Sequence, residues 1–346
     1  MATPVRDVDF TEQFIEAHRA EIRLHCYRMT GSLQDAEDLV QETLIRAWRS
    51  WSEFEGRSSS RTWLYRIATN LTLNFLHSRD RARRSLPAME GRSAEGMSTS
   101  EPRPREAWVD PYPDAWLEGI PVAAPGPEAR YESAEAVRLA FIAAIQHLPP
   151  RQRAMLLLRD VLGYSAQEAA NVLSVSVAAA NSALQRARET LDKQHVQPVH
   201  QLPTDIARRR LLDRYVYAWE NDDVEALLSV LRDDAVYSMP PWPQWYAGPS
   251  AIGAFHQRVW SHYAGQRLLS IGANGQPAFA MYAREQPDEV FLPHSIQLLT
   301  LADGGIRAMT CFVRPTGPEL FPAFGLPEYL EPELQNPFRR SSPTLT

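Results

Sequence analysis

Apolar residues recur at helical spacing in two separate stretches of the chain and alternate at strand spacing in a third. Between the first two, all period is lost. From Phe10 to Arg84 the pattern is helical. Phe14, Ala17, Ile22, Leu24 and Met29 share a face that closes near Gly31. Ser32 then caps a helix over Leu33 to Trp51, with Asp35, Glu37 and Asp38 early in it, where the helix dipole favours acids. Ala36, Leu39, Val40, Leu44 and Ala47 make its apolar side, and Asp38, Gln41, Glu42, Arg46 and Arg49 its exposed side, with Trp48 and Trp51 at the end. A polar loop, Glu53 to Ser60, leads to a helix over Arg61 to Arg79 that buries Leu64, Ile67, Ala68, Leu71 and Leu76.

The second periodic stretch opens with a helix over Tyr131 to Leu148. Pro149-Pro150 starts the next, ended by Gly163, and Ser165 with Glu168 three residues on forms a capping box for another. Leu173 to Ser176 is a tight turn in which Ser174 stands where glycine is common. A last helix then carries Val177, Ala180, Leu184, Ala187 and Leu191 at spacings of 3, 4, 3 and 4. A short helix, a turn and a second helix in this order predict a helix-turn-helix. The opposite face shows Ser176, Ala178, Asn181, Ser182, Gln185, Arg186 and Arg188. Small residues permit close approach, amides match base edges, and arginines suit guanine or phosphate, which is what a major-groove helix needs.

The third stretch, residues 203 to about 330, puts helices first (Ile206–Trp219, Val224–Leu231, Pro249–Tyr263) and alternating segments after. Its turns fall at Asn274-Gly275, Gln286 to Asp288 and Asp303 to Gly305. Helices followed by a curled antiparallel sheet predict an α+β cone. The fold class is therefore multi-domain, with two all-α modules at residues 10–85 and 131–195 and the cone at 203–330. Residues 331–346 form a tail. Residues 86–130, with eight prolines and an acidic second half, read as a partly extended linker. Trp108, Tyr112, Trp116 and Leu117 are too apolar for pure spacer, so they are expected to dock on a folded surface of the protein.

Composition narrows the function. The net charge of −6 excludes a generally sticky nucleic-acid binder, yet between Arg57 and Arg84 seven arginines face one acid. This basic segment interleaves Arg57, Ser58, Arg61, Arg66, Asn70 and Asn74 with Trp63, Tyr65 and Phe75: cations for backbone, aromatics for unstacked bases, amides for base edges. Taken singly, Trp63 and Phe75 read as core. No apolar run reaches membrane-spanning length and no signal segment opens the chain, so a cytoplasmic protein is expected, with no membrane contact. Cys26 and Cys311 read as buried free thiols. No metal-ligand spacing is present, and neither metal nor cofactor is expected.

The segments AEDLVQETLIRAWRSW and FEGRSSSRTWLYRIATNLTLNFLHSRDRARRSLP resemble region 2 of a bacterial sigma factor of the extracytoplasmic-function class. LPPRQRAMLLLRDVLGYSAQEAANVLSVSVAAANSALQRARETL resembles region 4 of the same class. The resemblance implies core RNA polymerase and promoter DNA as partners. It implies a polymerase-binding surface on Asp38, Gln41, Glu42, Arg46 and Trp48, and capture of the melted −10 strand from Arg57 and Ser58 to Asn74. The Ser176 to Arg188 face would read −35 duplex. WENDDVEALLSVLRDDAVYSMPP and ADGGIRAM resemble the SnoaL-like group of the nuclear-transport-factor-two-like superfamily, which implies a C-terminal domain that regulates the sigma modules.

Asp234, Tyr237, Trp242, His256 and His294 are the candidate lining of a ligand pocket in that domain. A small-molecule ligand is a possible further partner. The alternative reading is a SnoaL-like enzyme or small-molecule sensor fused to a DNA-binding module. It ranks below regulation, because Asp233-Asp234 sits at a turn where aspartate is common and a lone strand histidine is usually structural.

Overall fold

The computed structural model describes residues 12–56, 58–78, 84–94, 96, 100–118, 120, 135–193 and 204–332. These fall into two compact units, one within Met1–Ser85 and Glu106–Pro198, the other within Leu86–Arg105 and Val199–Thr346.

In the first unit, α1 (Glu12–Thr30), α2 (Leu33–Ser50) and α3 (Ser60–Ser78) pack on one another. Gly31 turns the chain with φ +70°, and Ser32 Oγ accepts from Asp35 N at 3.2 Å to start α2. The buried side of α2 is Ala36, Leu39, Val40, Leu44 and Ala47, the stripe set by its sequence period. The helix-turn-helix follows as α4 (Leu139–Gln146), α5 (Pro150–Leu156), α6 (Ala166–Leu173) and α7 (Val177–Lys193). After α5 the chain relaxes into a π-helical turn, Leu157–Val161. Ser165 and Glu168 close the capping box on α6, and Ser174 adopts the left-handed conformation, φ 54°, that ends it. The helix expected from Tyr131 starts instead at Leu139, because Ala136 and Val137 are buried in a turn and Arg28 Nε donates to Ala136 O at 3.0 Å.

The two helical modules meet inside this unit. Buried Arg153 donates to Met29 O and to Gln146, whose Nε2 in turn donates to Arg28 O at 3.0 Å. Helix α6 lies on α3, and the rings of Tyr65 and Tyr164 contact edge-on at 6.0 Å.

The proline-rich stretch differs from a free spacer. Residues 106–118 belong to the first unit, where Trp108, Val109 and Tyr112 are buried. Asp110 Oδ2 accepts from Leu33 N at 3.0 Å, satisfying an open N–H at the start of α2, and Tyr27 Oη donates to Asp110 O at 2.7 Å. Residues 86–105 belong to the second unit, where Ala94 N donates to Trp245 O at 2.7 Å and Arg103 N to Pro241 O at 2.9 Å. Residues 121–130 of this stretch, and the tail from residue 333, lie outside the described residues.

The second unit runs α8 (Asp205–Glu220), α9 (Val224–Leu228), β1 (Leu231–Ser238), β2 (Trp245–Ala247), α10 (Gly248–Val259), β3 (Gly265–Ala273), β4 (Gln276–Arg284), β5 (Leu292–Ala302), β6 (Gly305–Phe312) and α11 (Thr316–Leu320). Its six strands order as β2-β1-β6-β5-β4-β3. The sheet is mixed rather than wholly antiparallel: β1 runs parallel to β6, the other pairs antiparallel. Asn274-Gly275, both at positive φ, make the two-residue turn between β3 and β4. Alternate residues, Phe279 and Met281 on β4, Leu299 and Leu301 on β5, Met309 and Cys311 on β6, share a core with Tyr215, Trp219, Ile252 and Phe255 of the helices. No helix among the described residues is long and apolar enough to cross a membrane.

Candidate functional site

Three surfaces and one cavity carry the chemistry. On α2, Asp38, Gln41, Ile45 and Trp48 follow one another at spacings of 3, 4 and 3 on the exposed side. Trp48 is 67% exposed and Ile45 44%, two large apolar side chains left in water beside a Glu42–Arg46 pair of 2.7 Å. An exposed apolar centre with a charged rim is the make-up of a docking surface.

On α3 the predicted strand-binding residues separate. Ser58, Arg66 and Asn74 are exposed and Asn70 is half-buried. Trp63 is not a platform for bases: it is buried against Trp51 and Phe54, with ring centroids at 5.7 and 5.1 Å. Arg61 is held by Glu21 at 2.7 Å and lies over the Tyr65 ring at 4.9 Å, so its charge is already answered. Arg84 is buried, donating to Asp35 at 3.0 Å and to Trp108 O at 3.0 Å. Arg57, Arg79, Arg81 and Arg83 lie outside the described residues.

On α7, Ala180, Leu184, Ala187 and Leu191 are buried, and Ser176, Ala178, Asn181, Ser182, Gln185 and Arg186 are exposed. Ser176 Oγ accepts from Ala179 N at 3.2 Å, so it caps the helix. Arg188 departs from the predicted face: its guanidinium meets Asp160 in a fork, at 2.8 and 2.5 Å, and the carboxylate is buried in the π-helical turn. It pins α7 to the π-helical turn behind it.

In the second unit a cavity of about 350 Å³ lies among Tyr237, Trp242, Phe255, His256, Trp260 and His294. Asp234 is not part of it. It sits exposed on β1, paired with Arg232 at 2.7 Å and Arg307 at 3.8 Å, because strand alternation sends it opposite to Tyr237. Burial lowers the pKa of His256 and of His294 to about 4, with Arg314 contributing at His294, so both rings are neutral at pH 7.

Residues 14–82 match the model of Sigma-70 region 2, residues 138–191 that of Sigma-70 region 4, and residues 212–309 that of a SnoaL-like domain. Over 320 residues the chain is 44% identical to the ECF RNA polymerase sigma factor SigG of Mycobacterium tuberculosis, spanning 91% of this chain and 83% of that one. The chain belongs to the ECF RNA polymerase sigma factors. This sigma factor is also 29% identical over 192 residues to SigW of Bacillus subtilis, covering 54% of this chain and 90% of that protein. It shares its fold with the crystal structure of SigJ from Mycobacterium tuberculosis, at a TM-score of 0.58 and 20% identity over 91% of this chain and 99% of that one.

Several residues that matter to the sigma factor were not singled out by sequence. Asp160 and Arg153 sit in an apolar run, LPPRQRAMLLLRDVL, and a charge inside such a run is a signal that it has a buried partner. Trp260, Tyr263 and Gln266, which line the cavity, carry no comparable signal.

Proposed function

We propose that this sigma factor docks on core RNA polymerase through the Ile45–Trp48 stripe of α2 and its flanking Asp38, Gln41, Glu42 and Arg46. It holds the melted −10 strand along Ser58, Arg66, Asn70 and Asn74, and reads −35 duplex with Ala178, Asn181, Ser182, Gln185 and Arg186. The observation that carries this reading is the α7 face: one side is packed into the unit while the other presents small, amide and arginine side chains to solvent. The reading places its action in the cytoplasm, where core polymerase and promoters meet.

The two modules, packed together in one unit, cannot hold both elements at once. A compact unit of this size is roughly 40 Å across, whereas −10 and −35 elements about 25 base pairs apart lie roughly 85 Å apart along straight duplex. The α3–α6 contact and the Arg153 bonds therefore belong to a closed form, and promoter engagement parts the modules. Any effector opens them only through a higher affinity for the open form.

The C-terminal domain acts in this reading as a regulator, not a catalyst. The support is the likeness to a sigma factor along 91% of the chain, and Asp234, the acid expected in the pocket, is instead paired with Arg232 and Arg307 on the surface. The test is run-off transcription with purified core polymerase on a promoter library, using the full chain, the chain ending at residue 203, and Arg186→Ala. Truncation should change transcript yield while core binding persists, and Arg186→Ala should lose promoter selection. Equal yields with and without the domain would refute regulation by it.

A further inference from the structure

We propose that the sigma factor pairs with a second copy of itself through α8, laid antiparallel on the α8 of its partner. Nothing in this pairing depends on polymerase or promoter binding.

The two sides of α8 differ. Tyr215, Ala218 and Trp219 are buried in the core of the second unit, and Leu211 and Leu212 pack half-buried against it. On the opposite side Ile206, Arg210, Asp213 and Tyr217 follow one another at spacings of 4, 3 and 4, a single row down the helix, and all four are exposed. Ile206 is 69% exposed and Tyr217 55%, the large apolar side chains that the helices of this unit leave in water among the described residues. Apolar surface of that size favours a covering partner. Arg210 and Asp213 are in no ion pair among the described residues; Asp205 takes Arg208 at 3.0 Å, and Arg214 donates to Ser229 Oγ at 2.5 Å.

The order along the row is apolar, basic, acidic, apolar, and that order is complementary to itself. A two-fold axis passing between Leu211 and Leu212 sets Ile206 opposite the partner's Tyr217, and Arg210 opposite the partner's Asp213. Each contact then occurs twice, as an isologous interface requires. Both apolar ends are covered, and both charges meet the opposite sign. The other exposed apolar row, on α2, fails the same test: a two-fold axis there sets Asp38 opposite the partner's Trp48 and Gln41 opposite the partner's Ile45. Self-pairing therefore suits α8 and not α2. Arg209 and Arg214 fall on the two flanks of the α8 row and leave a charged, hydrated rim. From Ile206 to Tyr217 the row is roughly 16 Å long, and one helix pair of that length is a small interface. Association in the micromolar range is expected, so the pair forms and parts with concentration.

The experiment is sedimentation equilibrium of the full-length protein from about 1 to 200 µM, a range that brackets the affinity of so small an interface. The expected result is a reversible monomer–dimer equilibrium. Ile206→Asp should weaken it on the order of a hundredfold, since it strands two apolar contacts. Arg210→Asp alone and Asp213→Arg alone should each weaken it on the order of tenfold or more, because both central contacts then carry like charges. Mixed in equal amounts, these two single variants should pair at wild-type strength, and so should one chain carrying both changes. All the substitutions lie at exposed positions, and thermal melts report that the variants stay folded.

A monomer at every concentration would overturn the proposal and leave the row to a different molecule. A dimer indifferent to these substitutions, or single variants that stay monomeric when mixed, would equally overturn it, because the contact would then lie elsewhere or lack the two-fold order. Core polymerase is absent throughout, so failure here and failure of the proposed function are separate results.

Discussion

Arginines 186 and 188 are two positions apart on one helix and do different work. Arg186 is exposed and answers to nothing in α7, whereas Arg188 closes a fork on buried Asp160. Arg186→Ala should leave the melting temperature unchanged and weaken −35 duplex binding roughly ten- to hundredfold, about 1–3 kcal/mol, in gel-shift titration. Arg188→Ala should instead destabilise the first unit by about 2–4 kcal/mol in chemical denaturation, because it strands a carboxylate, and Asp160→Asn combined with Arg188→Met should recover much of that loss. Sequence places both arginines on the polar side, and there its power ends: a guanidinium on that side looks the same whether it meets DNA or an aspartate 28 residues earlier. Trp63 shows the reverse, since its place in a basic, aromatic segment suited strand capture while tertiary packing against Trp51 and Phe54 claimed it. Buried histidines set a pH dependence. His25, fully buried and bonded to Thr69 Oγ1 at 2.9 Å, has its pKa lowered to about 3 by burial, with Arg28 and Arg61 adding to the shift. Unfolding raises it to about 6.5, so the unfolded chain binds the extra proton between those values. Stability of the first unit should therefore be complete above about pH 6.5 and fall toward pH 3, by up to about 1.4 kcal/mol per pH unit from this group alone. His25→Gln should flatten that part of the denaturation profile.

At the scale of elements, helices were read from the chain more faithfully than the connection between the modules. Periods of 3.6 and 2, the Ser32 cap, the Ser165–Glu168 box and the Asn274-Gly275 turn are local signals, and each appears where its chemistry puts it. The proline-rich stretch has no period to read. Its fate depends on what Trp108, Asp110 and Tyr112 find in three dimensions, and they find the start of α2 and the side of α1. The parallel pairing of β1 with β6 escaped for the same reason, since alternation reports a strand and not its direction. Asp110→Ala should cost about 1–2 kcal/mol by exposing the Leu33 N–H, and Trp108→Ala about 3–5 kcal/mol through the void it leaves. Both should appear as lower denaturant midpoints with fold retained. A truncation at residue 203 also removes the partner of residues 86–105, so its effect on transcription includes the release of that half of the connection.

For the whole molecule, the family and the presence of two helical modules and a SnoaL-like domain were legible from motif order, while the packing of the two helical modules on each other was not. Nothing in the spacing of apolar residues announces that Arg153 of one module will bond Met29 O of the other, or that Tyr65 will meet Tyr164. The consequence is a distance: the faces proposed for −10 and −35 DNA share one compact unit, and a promoter holds those elements about twice as far apart. Cys26 and Cys311 are buried, with thiol pKa values raised by burial, so cysteines introduced at exposed His77 on α3 and Glu189 on α7 take fluorophores selectively. Energy transfer between them, in the free protein and in a transcribing complex with core polymerase and promoter, measures the opening directly. The account predicts a separation within roughly 40 Å when free that about doubles in the complex; an unchanged separation in a complex that makes transcript would contradict it.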